Sequence, residues 1–165
     1  FAVYLNLFSR MSVFGSRNRR VGLRPLLAGL PKLDPVPGTV AVVVVMIGTN
    51  NIPLNTPIEV ADGIAAICDE IHQRSPTSRI LLLGIFPRGE RPDANRATID
   101  AVNQRIARFD GRDGAVTYLD IGDRFLAADR SISKDLMYDF LHPTAKGYEV
   151  WATAMEPTLT RLQSR

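Results

Sequence analysis

Near its C-terminal end the chain reads DFLHPTAKGY, with Asp139 and His142 three positions apart and Pro143 directly after them. An acid and an imidazole this close have the make-up of two thirds of a hydrolase's catalytic machinery, the third part being a nucleophile. Alone, an Asp-x-x-His pair is a weak signal, because chance pairs are common and a surface histidine is the default. A second polar block, GTNN (Gly48 to Asn51), follows a long apolar run. Asparagine after a buried strand also has a plain structural use, since it caps turns and tolerates left-handed backbone. At the strand ends of a single α/β domain, the two blocks together weigh far more than either does alone.

The elements that must position them are legible as hydrophobic pattern. TVAVVVVMIG is β-branched and continuously apolar, which suits a strand covered on both faces in a parallel sheet. From Pro57 to about Arg74, Ala61, Ile64, Ala65, Cys68 and Ile71 recur at helical spacing. SRILLLGIF reads as a second buried strand, and PRGERPD as a loop. A helix over 94–109 carries Ile99, Val102, Ile106 and Phe109 on one stripe, and AVTYLDI is a third strand. The last helix starts near Thr144 and turns Tyr148, Trp151, Ala152, Met155, Leu159 and Leu162 inward, with Pro157 expected to kink or restart it. Alternating strands and helices imply a parallel sheet with helices on both faces, and sites in such folds lie beyond the C-terminal strand ends.

Composition excludes several classes. At 165 residues with 45% apolar and 22% charged residues, the chain is one globular domain. Its longest apolar run, Val40 to Ile47, is far short of the roughly 20 residues that span a bilayer. FAVYLNLF lacks the basic region of a signal peptide. The first residue is Phe1 rather than Met, so the true start is expected upstream. The compartment stays open, with the cytoplasm slightly favoured. The single cysteine, Cys68, excludes an internal disulfide and reads as a buried structural thiol. His72 has no carboxylate cluster or cysteine at metal-ligand spacing, and no glycine-rich phosphate loop follows the apolar strand, so neither metal nor cofactor is expected. Asp120 and Asp123 read as turn formers.

The net charge of +3 is uneven. Residues 1–38 hold six basic groups and one acidic group, leaving 14 of the 20 basic and 16 of the 17 acidic groups downstream. SRNRRVGLR has no aromatic residues interleaved as stacking platforms, which speaks against a nucleic-acid surface. Residues 1–37 are expected to be an irregular, non-native basic segment, and residues 38–165 the α/β domain.

At this point the sequence resembles the SGNH hydrolases, also called GDSL esterases and lipases. VVMIGTNN is similar to the family's third block and DFLHPTAKGY to its fifth. LLLGIFPRGERP and NQRIARF resemble the branch containing the catalytic subunits of intracellular platelet-activating-factor acetylhydrolase and bacterial relatives. The likeness covers roughly residues 38–160 and implies a three-layer α/β/α, flavodoxin-like fold. It also implies that His142 is general base and then general acid, that Asp139 holds its tautomer, and that Asn50 donates to the oxyanion. Gly48 would let the backbone turn sharply, Thr49 and Asn51 would support the loop, and Arg88 could border the cleft or lie solvated on the surface. The implied substrate is a small-molecule ester. Members of this branch pair, so a homodimer is an expectation the resemblance carries.

The chain departs from the family in its first two blocks. It has no Gly-Asp-Ser, and family spacing places that serine before Phe1. Ser9, Ser12 and Ser16 are each read as following no buried strand. The sheet is accordingly expected to lack its first strand, leaving Val40–Ile47 as an unpaired apolar edge prone to aggregation unless the N-terminal segment covers it. Where a Gly-Ile-Gly-Gly block is expected stands SRNRRVG. The codons CGG AAT CGG CGG GTG, read one base later, give Gly-Ile-Gly-Gly, so the segment is expected to be translated out of frame. Two functions follow: a serine-type carboxylester hydrolase for short acyl esters, or a non-catalytic remnant or binding module with the hydrolase fold.

Overall fold

The computed structural model describes residues 2–7 and 42–164. Four strands, β1 (Ala2–Leu7), β2 (Val42–Ile47), β3 (Arg79–Leu83) and β4 (Val116–Leu119), form one sheet in that order. Every neighbouring pair is parallel. Parallel strands need crossovers, and helices supply them here: α1 (Pro57–Arg74) between β2 and β3, and α2 (Ala94–Ile106) between β3 and β4. A third helix, α3 (Ala145–Gln163), closes the chain.

The continuous apolar runs have the meaning their pattern suggests. Along β2, Val43, Val45 and Ile47 enter one core with Ile64, Cys68 and Ile71 of α1 and Ile99, Val102 and Ile106 of α2. The alternate residues Val42, Val44 and Met46 enter a second core with Trp151, Met155, Leu159 and Leu162 of α3. Helices therefore cover both faces of the sheet, and the architecture is three-layer α/β/α. Each fully buried Val, Leu or Ile contributes about 1.5–3 kcal/mol of transfer free energy. Burial pushes the Cys68 thiol up to about 12, with the neighbouring Asp69 carboxylate adding to the effect, so the thiol is inert at neutral pH.

Three expectations are corrected. The edge of β2 is not open: β1 pairs with it from Ala2 opposite Val42 to Leu7 opposite Ile47. The N-terminal segment is thus regular over Ala2–Leu7, and the aggregation expected of a bare edge loses its cause. The remainder of the basic segment, 8–37, lies outside the described residues. Secondly, of the kink or restart expected at Pro157, the restart does not occur: α3 runs on through it. Pro157 is on the exposed face, where water can take the carbonyl that loses its partner. Thirdly, Tyr148 and Ala152 face outward. Tyr148 instead lies flat on the buried Trp151, ring centroids 5.7 Å apart, and the inner position of that turn belongs to Gly147.

Candidate active site

The C-terminal ends of β2 and β3, and the loop that leads into α3, carry the polar residues singled out by sequence. After β2 the chain must turn at once, and Gly48 makes this possible with φ +112°, a conformation that L side chains rarely adopt. A Cβ there would also stand 3.0 Å from Ile85 and 3.1 Å from Val60. The next three residues, Thr49–Asn51, form a single 3₁₀ turn. Asn51 N–H donates to the Gly48 carbonyl at 2.9 Å, and the buried Asn51 amide donates to Asn55 Oδ1 at 3.1 Å. Thr49 is buried and Asn50 half-buried, so the turn holds Asn50 on a fixed backbone.

The second group sits in the loop before α3. Its base is a short antiparallel bridge between Met137 and Pro143, with Met137 wholly buried. Asp139 organises the tip. Its Oδ1 accepts from the backbone N–H of His142 at 2.7 Å and of Leu141 at 3.1 Å, while Oδ2 meets His142 Nδ1 at 2.7 Å. Phe140, between the pair, is held at φ +60°. Tyr138 stacks on the imidazole, centroids 5.8 Å apart and planes 16° apart. Partial desolvation pulls the Asp139 carboxyl upward, but the His142 N–H, the imidazole and the Leu141 N–H outweigh it and hold it below the usual carboxylate range.

That depression has a sign. A carboxylate whose folded pKa lies below its unfolded value contributes stability that is present above the unfolded value and lost as pH falls through the folded one. Asp93, the N-cap of α2, is depressed in the same direction, chiefly by the Arg96 N–H. Acid destabilisation through these two groups is expected only below about pH 4. Urea midpoints measured from pH 6 to 2.5 should fall over that range, and more shallowly in Asp139→Asn.

The helix start fixes where His142 sits. Thr144 caps α3 by accepting from Gly147 N–H at 3.1 Å, and its hydroxyl donates to the Asp135 carbonyl. Gly147 packs directly on the loop: a Cβ there would lie 2.2 Å from the Leu136 carbonyl oxygen and 3.0 Å from Pro143 Cβ. Backbone cannot yield as a side chain would. Gly147→Ala is expected to lower the free energy of unfolding by about 1–3 kcal/mol, read from urea titration.

A third segment joins the two groups. Arg88, in the loop after β3, sends Nη1 to the Thr49 carbonyl at 2.9 Å, and Gly89 N–H donates to the Phe140 carbonyl at 2.9 Å. Arg88 is half-buried and braces the asparagine turn, a role neither of its two sequence readings foresaw. Gly89, Arg96 and Gly147 were not marked by sequence; the left-handed glycine after PR was the one local hint. Asp120 does form a turn, accepting from Gly122 N–H at 2.8 Å, and Asp123 pairs with Arg130 at 2.7 Å. Among the described residues no group of three His, Cys, Asp or Glu could hold a metal ion, and no helix is long and apolar enough to cross a membrane.

The described serines have other occupations. Ser75 and Ser78 share a hydrogen bond at the start of β3, Ser131 donates to Asp129, Ser133 accepts from Asp135 N–H, and Ser164 donates to the Arg161 carbonyl. Ser9 stands two positions past the end of β1, so a strand does precede it; Ser9 itself lies outside the described residues.

A three-layer α/β/α sheet carrying an Asp–His pair and a Gly-Thr-Asn turn at its C-terminal end defines an SGNH-type hydrolase fold. The chain belongs to the GDSL-like Lipase/Acylhydrolase family, whose model matches residues 2–150. It is 44% identical over 107 residues to platelet-activating factor acetylhydrolase IB subunit alpha2 of Rattus norvegicus, covering 65% of this chain and 46% of that protein. It is 35% identical over 121 residues to subunit alpha1 of Homo sapiens, covering 73% and 52%. The chain thus spans about half the length of the curated relatives it matches. Two solved structures share the fold: a carbohydrate esterase family 3 protein from Talaromyces cellulolyticus (TM-score 0.60, 19% identity, 89% of this chain and 66% of that one) and a GDSL-like lipase from Bacteroides thetaiotaomicron (TM-score 0.59, 18% identity, 73% and 62%).

Proposed function

We propose that this chain carries the base, the base's orienter and the oxyanion donor of a serine-type carboxylester hydrolase acting on short acyl esters. The observation that carries the reading is the 2.7 Å contact between His142 Nδ1 and Asp139 Oδ2 at the C-terminal end of the sheet. With Nδ1 committed to Asp139, proton exchange with the nucleophile and the leaving alcohol falls to Nε2. His142 removes the serine proton as the hydroxyl oxygen attacks the acyl carbon, then returns it to the departing alkoxide. Asp139 stabilises the imidazolium between those steps. The Asn50 amide donates to the oxyanion of the tetrahedral intermediate, and Arg88 holds the turn that presents it.

Family spacing puts the nucleophilic serine before Phe1; with β1 occupying the place beside β2, the proposed nucleophile is instead one of Ser9, Ser12 and Ser16, of which Ser9 stands two positions past the end of β1. Similarity to acetylhydrolase subunits supports acetyl as the acyl group, and a small ester as substrate. Incubation with p-nitrophenyl acetate and with a serine-directed organophosphate, followed by peptide mapping of the adduct, tests the reading. The expected result is turnover with one labelled serine within residues 1–41. Neither turnover nor label in this polypeptide contradicts it and favours a non-catalytic module with the hydrolase fold.

A further inference from the structure

Arg96 is a cation with 6% of its surface exposed, in the first turn of α2. Burying a guanidinium is costly unless its donors are satisfied. Here all three nitrogens are engaged by backbone: Nε donates to the Arg88 carbonyl at 2.9 Å, Nη2 to the Gly89 carbonyl and Nη1 to the Arg130 carbonyl. The planar fork suits three carbonyls spread over two loops, which a lysine ammonium on its single nitrogen does not.

What these carbonyls belong to gives the residue its meaning. Arg88 reaches the Thr49 carbonyl beside Asn50, and Gly89 N–H reaches the Phe140 carbonyl between Asp139 and His142. The following Glu90 carbonyl accepts from Ile132 N–H at 2.9 Å, tying in the 127–132 loop. Gly89 (φ +78°), Arg130 (φ +64°) and Phe140 (φ +60°) all hold left-handed backbone in this one network. For the two non-glycine residues such backbone is strained and persists only where the surroundings over-determine it. Arg96 fixes Arg130 directly, and Phe140 through Gly89.

We infer that Arg96 is a positioning residue for the reaction: through the 88–89 loop it sets the placement of the Asn50 turn relative to the Asp139–His142 turn. This rests on the function proposed above, so its test has one arm that needs no turnover. In Arg96→Lys, which keeps the charge and loses the fork, amide hydrogen exchange at Gly89 and Ile132 should rise about tenfold or more. The sheet amides of Ile80 and Gly84, which donate to Ala115 and Leu119, should be unchanged. A uniform rise at all four, or no change at Gly89, overturns the inference.

In the second arm, kcat for p-nitrophenyl acetate should fall about tenfold or more with KM unchanged, because only the reacting geometry is disturbed. An unchanged kcat overturns the link to the reaction while leaving the proposed activity intact. Should Arg96→Lys not fold, Arg88→Met cuts the chain of contacts one step later. It should speed exchange at Asn51 N–H and lower kcat while Gly89 stays protected; protection at Asn51 equal to that of the parent contradicts the network.

Discussion

Asp139→Asn is expected to lower kcat for p-nitrophenyl acetate by about 10⁴-fold with the fold intact. The reason is in the three contacts of one carboxylate. Oδ1 accepts two backbone N–H groups, and an asparagine oxygen can keep both. Oδ2 faces His142 Nδ1 at 2.7 Å, and there asparagine presents an NH₂ donor instead of an acceptor. Nδ1 must then become the acceptor, which moves the ring proton to Nε2 and removes the lone pair that takes the serine proton. The tip of the loop survives and the base does not. Near-UV circular dichroism and the urea midpoint at pH 7 check the first half, and steady-state kinetics the second. A kcat within a few-fold of the parent means that the Asp–His contact serves the loop alone.

Asn50→Ala is expected to lower kcat by about 10²–10³-fold and to leave KM nearly unchanged. An oxyanion donor acts on charge that exists only in the transition state, so its loss appears in kcat rather than in binding. The substitution should cost little stability. The turn around it is held by backbone bonds, the buried Asn51 amide and the Arg88 guanidinium, all of which remain in the variant. Comparison of kcat and KM in the two proteins decides the matter: a rise in KM at constant kcat makes Asn50 a substrate-binding group instead.

Much of this was legible in the sequence because the signals are local. A parallel strand buried on both faces must be apolar at every position, and VVVVMI and ILLL are. Asp139 and His142 needed no fold to be paired, since three residues of separation already bring their side chains within reach. The turn after β2 announced itself through Gly48 and two asparagines. What escaped notice depends on distant parts of the chain. Arg96 acts through carbonyls that are seven, eight and 34 residues away. Gly147 matters because of a carbonyl of Leu136, in a loop whose path no periodicity encodes. The strand signal of AVYLNL is weak beside a basic segment, and strand pairing is a property of the partner as much as of the strand. Tyr148 misled because its helical phase is near the inner stripe while its ring is satisfied on the face of Trp151.

The central claim is that His142, oriented by Asp139, activates a serine toward an acyl ester. Its most direct test is the initial rate of p-nitrophenyl acetate hydrolysis by this polypeptide and by its His142→Ala counterpart, each with and without a stoichiometric serine-directed organophosphate. The account predicts turnover in the parent, abolished by the organophosphate and lowered about 10⁴-fold or more by the substitution. Equal rates in the two proteins, whether fast or at the buffer background, would contradict it.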